Sequence, residues 1–141
     1  MVYNSIEVKK RHKEVHMSKK EGVKRSKNLE LLYFAEQEVT VKDLERSLIN
    51  KLEEIHVWPE LGIMELNFPN GIVADVETMT EYMEDEEDLR FMTDRKLKSV
   101  YAITIEENGL KELIEYVRCW IQEYGGLLCS DSDDFAPFYI Q

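Results

Sequence analysis

Few side chains in this sequence are of the kind that carry out chemistry, and their spacing is the first thing to weigh. There are three histidines, His12, His16 and His56. His12 and His16 stand four apart, which on a helix puts both imidazoles on one face, the geometry of a two-histidine metal site. Zinc needs at least a third ligand, and no Cys or His follows at a usual spacing. The pair also sits among Lys9, Lys10, Arg11 and Lys13, whose charge repels a cation. Two solvated histidines and no metal are the expectation. His56 precedes Trp58-Pro59 and is expected in a loop with an ordinary hydrogen bond. A Ser-His-Asp or Cys-His arrangement would have to recruit His56, and no local signature marks a nucleophile for it.

The two cysteines, Cys119 and Cys129, are too few for a disulfide scaffold, which makes a reducing cytoplasm the default expectation. At about 100° per residue, Cys119 lies roughly 180° from the centre of its helix's apolar face, so it is exposed or covered from a second side. Its same-face neighbours are Tyr116 and Glu123, with Glu115 close by, and nothing basic is there to favour a thiolate. Cys129 falls in an apolar run and is expected in the core. Neither reads as catalytic.

Carboxylates are plentiful. Asp131-Ser132-Asp133-Asp134 echoes the start of a calcium loop, which also needs Asp or Asn at the fifth position, Gly at the sixth and Glu at the twelfth. Phe135 and Ala136 occupy the fifth and sixth places, and the sequence ends before a twelfth. A polar turn is expected there, and a solvated helix face for the run Glu84 to Asp88. Paired carboxylates for glycoside hydrolysis cannot be picked from 29 acids without distances. No glycine-rich phosphate loop is present, and Gly125-Gly126 suits a helix C-cap. No catalytic residue, metal or cofactor is assigned.

The elements that must position these groups follow from hydrophobic period. Leu29 to Ala35 reads as a strand. Thr40 is an N-cap with Asp43 three residues on, and Val41, Leu44, Leu48, Leu52 and Ile55 form one face of a helix. Trp58-Pro59-Glu60-Leu61-Gly62 interrupts regular structure. Met64, Leu66 and Phe68 alternate with Glu65 and Asn67, Pro69-Asn70-Gly71 makes a turn, and Ile72, Ala74 and Val76 alternate with Val73, Asp75 and Glu77, which together make a hairpin. Thr78 with Glu81 has the spacing of a capping box opening a second helix, whose apolar set is Met79, Tyr82, Met83, Leu89 and Met92. Ser99 to Glu106 is β-branched and aromatic, a strand. Asn108 is expected to cap a third helix through Tyr124, with Trp120 about 80° off the centre of its apolar face and so bordering the core. Leu127 to Ser130 is a short strand, and Phe135 to Ile140 a last extended piece.

The resulting order, β-α-β-β-α-β-α-β, points to a two-layer α+β sandwich: a mostly antiparallel or mixed sheet with about three helices on one face. Its first six elements match a ferredoxin-like order. With 141 residues, 43% of them apolar, one domain with a real core is expected. No apolar run approaches the ~18 residues that cross a bilayer, and no signal-peptide core is seen, so no membrane is expected.

Charge divides the chain in two. Residues 1–27 hold nine Lys/Arg against three Glu, a net +6, and are expected to form a solvated, flexible arm. Residues 28–141 hold nine basic and 26 acidic side chains, a net −17, and are expected as a single acidic domain. Met17 precedes Ser18-Lys19-Lys20, a polar start that makes Met17 an alternative first residue. The sharper alternatives to a solvated tail are that the arm touches nucleic acid or folds back on its own acidic body. A body of this charge attracts basic proteins and repels phosphates.

Acids beside aromatics suit a protein-binding surface, and Trp58, Glu84, Asp85, Glu87, Asp131, Asp133, Asp134 and Phe138 are the residues expected to carry it. In size, charge and its Gly-Gly-then-acidic-aromatic ending the chain is similar in general character to small bacterial immunity proteins and other enzyme inhibitors. The expected function is therefore an acidic interaction domain, inhibitor or immunity-type, that binds a basic protein. The alternatives are a nucleic-acid-associated protein acting through residues 1–27, or an enzyme with a dispersed polar pocket.

Overall fold

The computed structural model describes residues 27–141, so the basic arm and the His12/His16 pair lie outside the described residues. Within them, seven strands form one antiparallel sheet: β1 (Asn28–Ala35), β2 (Glu54–Trp58), β3 (Ile63–Asn67), β4 (Val73–Thr78), β5 (Ser99–Glu106), β6 (Leu127–Ser130) and β7 (Phe138–Ile140), in the order β2-β3-β4-β5-β1-β6-β7. The helices are α1 (Val41–Ser47), α2 (Glu86–Asp94) and α3 (Leu110–Tyr124). This is the two-layer α+β class that the hydrophobic periods predict. The ferredoxin-like order does not carry over to topology. Such a unit needs a parallel crossover, whereas β1 is antiparallel to both its neighbours, β5 and β6.

Strand alternation separates two faces. Leu31, Tyr33 and Ala35 of β1 enter the main core with Val41 and Leu44 of α1 and Leu113, Val117 and Trp120 of α3. Trp120, expected at the border, is wholly buried: its indole Nε1 donates to the Leu44 carbonyl at 3.1 Å, and its ring lies 5.4 Å from that of Tyr33. The polar end of a buried indole is satisfied only by such a partner. Leu32 and Phe34 point the other way, into a second cluster with Met83, Phe91, Met92, Val100, Leu127, Cys129 and Phe135. Helix α2 covers this second face, so two helices rather than three share the main layer. Phe91 and Met92 are the side chains that hold α2 there.

The Thr40 cap is as expected. Its hydroxyl accepts from Asp43 N–H at 3.2 Å, and the Asp43 carboxylate accepts from Thr40 N–H at 2.9 Å. The helix then stops at Ser47, where a face running to Ile55 is expected. Leu48 and Leu52 stay buried from a turn, and Ile55 belongs to β2. The i, i+4, i+7 spacing here spans two elements, and pairing of the β-branched Ile55 and Val57 against β3 wins over helix continuation.

The β3–β4 hairpin is as expected. The Thr78/Glu81 capping box is not: Thr78 ends β4, and Asp85 caps α2 by accepting from Glu87 N–H at 2.8 Å. Asn108 sits in a 3-10 turn, and Gly109 precedes α3. Gly125 and Gly126, both with positive φ, close α3. Gly126 is obligatory because a Cβ there would meet the Phe34 carbonyl oxygen at 1.7 Å. Among the described residues no helix is long and apolar enough to cross a membrane.

Candidate functional site

Among the described residues, apolar packing covers the second face of the sheet at one end. Its apolar cluster takes side chains from β1, β5, β6 and β7 but none from β2, β3 or β4. The outward positions there form cross-strand rows. One row runs Glu30, Thr104, Asp75, Glu65, His56 across β1, β5, β4, β3 and β2. The next runs Leu32, Ala102, Glu77, Ile63, Trp58. At the far end stand Asn28, Glu106, Asn67 and Glu54.

The charge on this face is one-sided. Among the described residues none of the seven strands contains Lys or Arg, and residues 52–89 hold twelve acids and no Lys or Arg. Glu65 and Asp75 lie directly opposite one another, a like-charge pair that costs stability unless cations neutralise it. Glu77 is only 4% exposed.

A second acidic surface adjoins this one. The N–H of Asp131 donates to the Glu30 carbonyl at 2.9 Å, so the 131–134 loop starts at the edge of the face. Opposite that loop stands the N-terminus of α2. Asp88 shows that the two approach each other: burial, then Asp85, Glu87 and Asp133, push its carboxyl above the usual range. The two acidic runs, far apart in sequence, therefore form one patch.

Aromatic packing holds the patch in place. Phe91 packs tilted against Phe135 at 4.3 Å and Phe34 at 5.2 Å, lies parallel to Phe138 at 6.4 Å, and carries the Arg95 guanidinium 3.9 Å over its ring. Phe135 occupies a positive-φ position at the corner of the loop.

The eight residues expected to bind divide accordingly. Glu84, Asp85, Glu87, Asp131, Asp133 and Asp134 come together. Trp58, 45% exposed, lies on the edge strand β2, about 20–30 Å away at ~4.8 Å per strand. Trp58 belongs to the open sheet face, where its ring stands 6.5 Å from His56. Three of the group are committed locally. Asp85 caps α2. Asp134 accepts from Ala136 N–H at 3.1 Å and from the Ser132 hydroxyl at 3.2 Å, which holds its carboxyl below the usual range. Phe138 is half-buried against Phe91. Glu84, Glu87, Asp131 and Asp133 are exposed.

The carboxylates that sequence reasoning passed over are Glu30, Glu65, Asp75 and Glu77. The signal was present in the hairpin's alternation, which already set Glu65, Asp75 and Glu77 on its outer side.

Around the 37–39 loop the polar groups are tied into the fold. A hollow of about 420 Å³ opens between Val39, Gly62, Glu81, Lys98 and Tyr101. The Tyr101 hydroxyl donates to the Val39 carbonyl, and burial pushes it up to about 12. Ser99 Oγ donates to the Gln37 carbonyl at 2.8 Å and accepts from Val39 N–H at 2.9 Å. These are ties between loop and strand rather than groups poised for proton transfer.

His56 lies on β2, not in a loop, with Nε2 3.5 Å from Glu54. Cys119 is half-buried, with Sγ 3.6 Å from the Glu115 carbonyl. Cys129 is buried, and burial pushes its thiol up to about 12, far from a reactive thiolate. Among the described residues no three His, Cys, Asp or Glu side chains converge as a metal site would require. The site is therefore an acidic, aromatic-rimmed surface. No protein-family model, curated protein or solved structure matches the chain.

Proposed function

We propose that the chain is an acidic docking domain that holds a basic segment of another protein, as an inhibitor or adaptor does. The observation that carries this reading is the row Glu30–Asp75–Glu65 on strands without a single Lys or Arg, continuous with the Asp131/Asp133/Glu87 patch and rimmed by Trp58. Carboxylates at this density raise the local concentration of cationic groups and speed their encounter. Trp58 adds a large apolar surface to which a desolvated contact can anchor.

The test is binding of a Lys/Arg-rich peptide to the full chain, compared with a Glu65→Lys/Asp75→Lys variant. Wild type binds with an affinity that falls steeply with salt, and the variant loses about ten-fold or more at low ionic strength. The same substitutions leave thermal stability near wild type, since both side chains point away from the main core. Equal binding by the two proteins overturns the assignment. Retention of nucleic acid by the full chain, instead of a basic protein, moves the function to residues 1–27.

A further inference from the structure

The two edges of the sheet differ. At one, β7 is three residues long and pairs with β6 through a register shift, which blunts it. At the other, β2 has one neighbour among the described residues, β3, and matches it in unbroken register from Glu54↔Asn67 to Trp58↔Ile63. The strand Glu-Ile-His-Val-Trp holds no Lys and no Pro, the residues that keep an edge from pairing.

Hydrogen-bond parity says which groups of β2 point off the edge. On the far side of β3, Phe68 N–H donates to the Ile72 carbonyl at 2.9 Å, and the Gly62 carbonyl accepts from Thr78 N–H at 2.8 Å. Even-numbered residues of β3 thus bond β4, and the odd ones, Ile63, Glu65 and Asn67, bond Trp58, His56 and Glu54 of β2. The N–H and C=O groups of Ile55 and Val57 face outward.

One arrangement satisfies all four. A second β2 running antiparallel, with a two-fold axis at His56, sets Ile55 against Val57 of the copy and Val57 against its Ile55. A shift of register brings Val57 against Glu53, which lies outside the strand, or Ile55 against Pro59, which has no N–H. Ile55 and Val57 are half-buried against the main core, so the pairing extends that core with β-branched cross-strand contacts.

Apolar exposure gathers at the same place. Of the five large apolar side chains exposed among the described residues, Trp58 lies in β2, and Ile49 (69%) and Leu61 (64%) lie in the turns on either side of it. Charge permits the contact as well. Glu54 falls opposite Trp58 of the copy, which leaves the two Glu54 residues about 14 Å apart, beyond the ~8 Å screening length.

We propose that β2 is a homodimer edge, paired antiparallel with β2 of a second copy about His56, so that one sheet runs through both chains. The contact uses the strand edge and not the acidic face, so it does not rest on the docking reading. Five residues a side make a small interface, under about 1,200 Å², and hence a dimer in exchange with monomer.

Disulfide trapping tests the register. Across the two-fold the His56 Cα atoms stand about 4.5 Å apart, within disulfide reach, whereas the Glu54 pair is far outside it. Both side chains are exposed on the same face of β2, so collision alone treats them alike. In a Cys119→Ser background with oxidised glutathione, His56→Cys forms covalent dimers at least about ten-fold faster than Glu54→Cys. Equal rates overturn the proposal.

Sedimentation equilibrium of the full chain from about 1 to 300 µM reads the dimer without a cross-link. Wild type dimerises with concentration and more tightly as salt rises, because salt screens two acidic bodies. Val57→Lys weakens the dimer about ten-fold or more. A chain monomeric throughout leaves the edge to some other strand and overturns the proposal, as does a dimer that Val57→Lys leaves unchanged.

Discussion

The two faces of the sheet are made from the same strands and are spent differently. On one, Leu31, Tyr33, Ala35, Met64, Leu66, Val76 and Ile103 meet α1 and α3, and Trp120 closes the core with its indole hydrogen-bonded. On the other, a methionine and phenylalanine cluster under α2 covers the β1–β6 end, while β2 to β4 present carboxylates. The first face supplies stability through apolar burial. On the second, carboxylates such as Glu65 and Asp75 take the places that apolar side chains fill on the first. Apolar burial and acidic surface are thus assigned to opposite sides of one layer.

Substitutions at matched positions can break or sharpen this contrast. Trp120→Ala should have the largest effect, about 3–5 kcal/mol in a denaturant melt, because it removes a fully buried ring and leaves the Leu44 carbonyl without its donor. Phe91→Ala, on a half-buried ring of the second cluster, should cost about 2 kcal/mol by the same measurement. Equal losses at the two sites would remove the distinction between a main and a subsidiary core.

Asp88→Asn should have the smallest effect and the opposite sign. The folded carboxyl is raised above its unfolded value, so its ionised form costs stability. That cost is full above the raised value and vanishes once pH falls below the unfolded carboxyl range, near 4. The variant should melt slightly higher than wild type at neutral pH and identically in acid. A gain that persists in acid would point to helix propensity rather than charge crowding.

Much of the fold is legible along the chain because local signals agree with the tertiary result. The Pro69-Asn70-Gly71 turn between two alternating strands is one instance, and the Thr40–Asp43 box is another. Legibility fails where one spacing serves two elements. Leu48, Leu52 and Ile55 are all buried or half-buried on the same side, yet the chain changes from helix to turn to strand beneath them. The acidic runs at 84–88 and 131–134 are visible as runs, but their meeting is not, since it depends on Phe91 packing against Phe135 across the second face. The carboxylates of β3 and β4 are visible one strand at a time. They become a row only through register, which brings Glu30 and Asp75 to either side of Thr104.

The interior position of β1 in the sheet has a consequence for how the chain acquires its structure. The first strand of the described residues is flanked by β5 and β6, with Asn28 opposite Glu106 and Leu31 opposite Ser130. During synthesis, β2, β3 and β4 can zip up as a local meander while β1 waits, both edges unsatisfied, until almost the whole chain has emerged. Pairings of such long sequence separation place the domain among slow folders, on the millisecond-to-second scale. While it waits, Leu-Leu-Tyr-Phe is an apolar strand open on both sides, the segment of this protein most exposed to mispairing and the one a chaperone would be expected to hold.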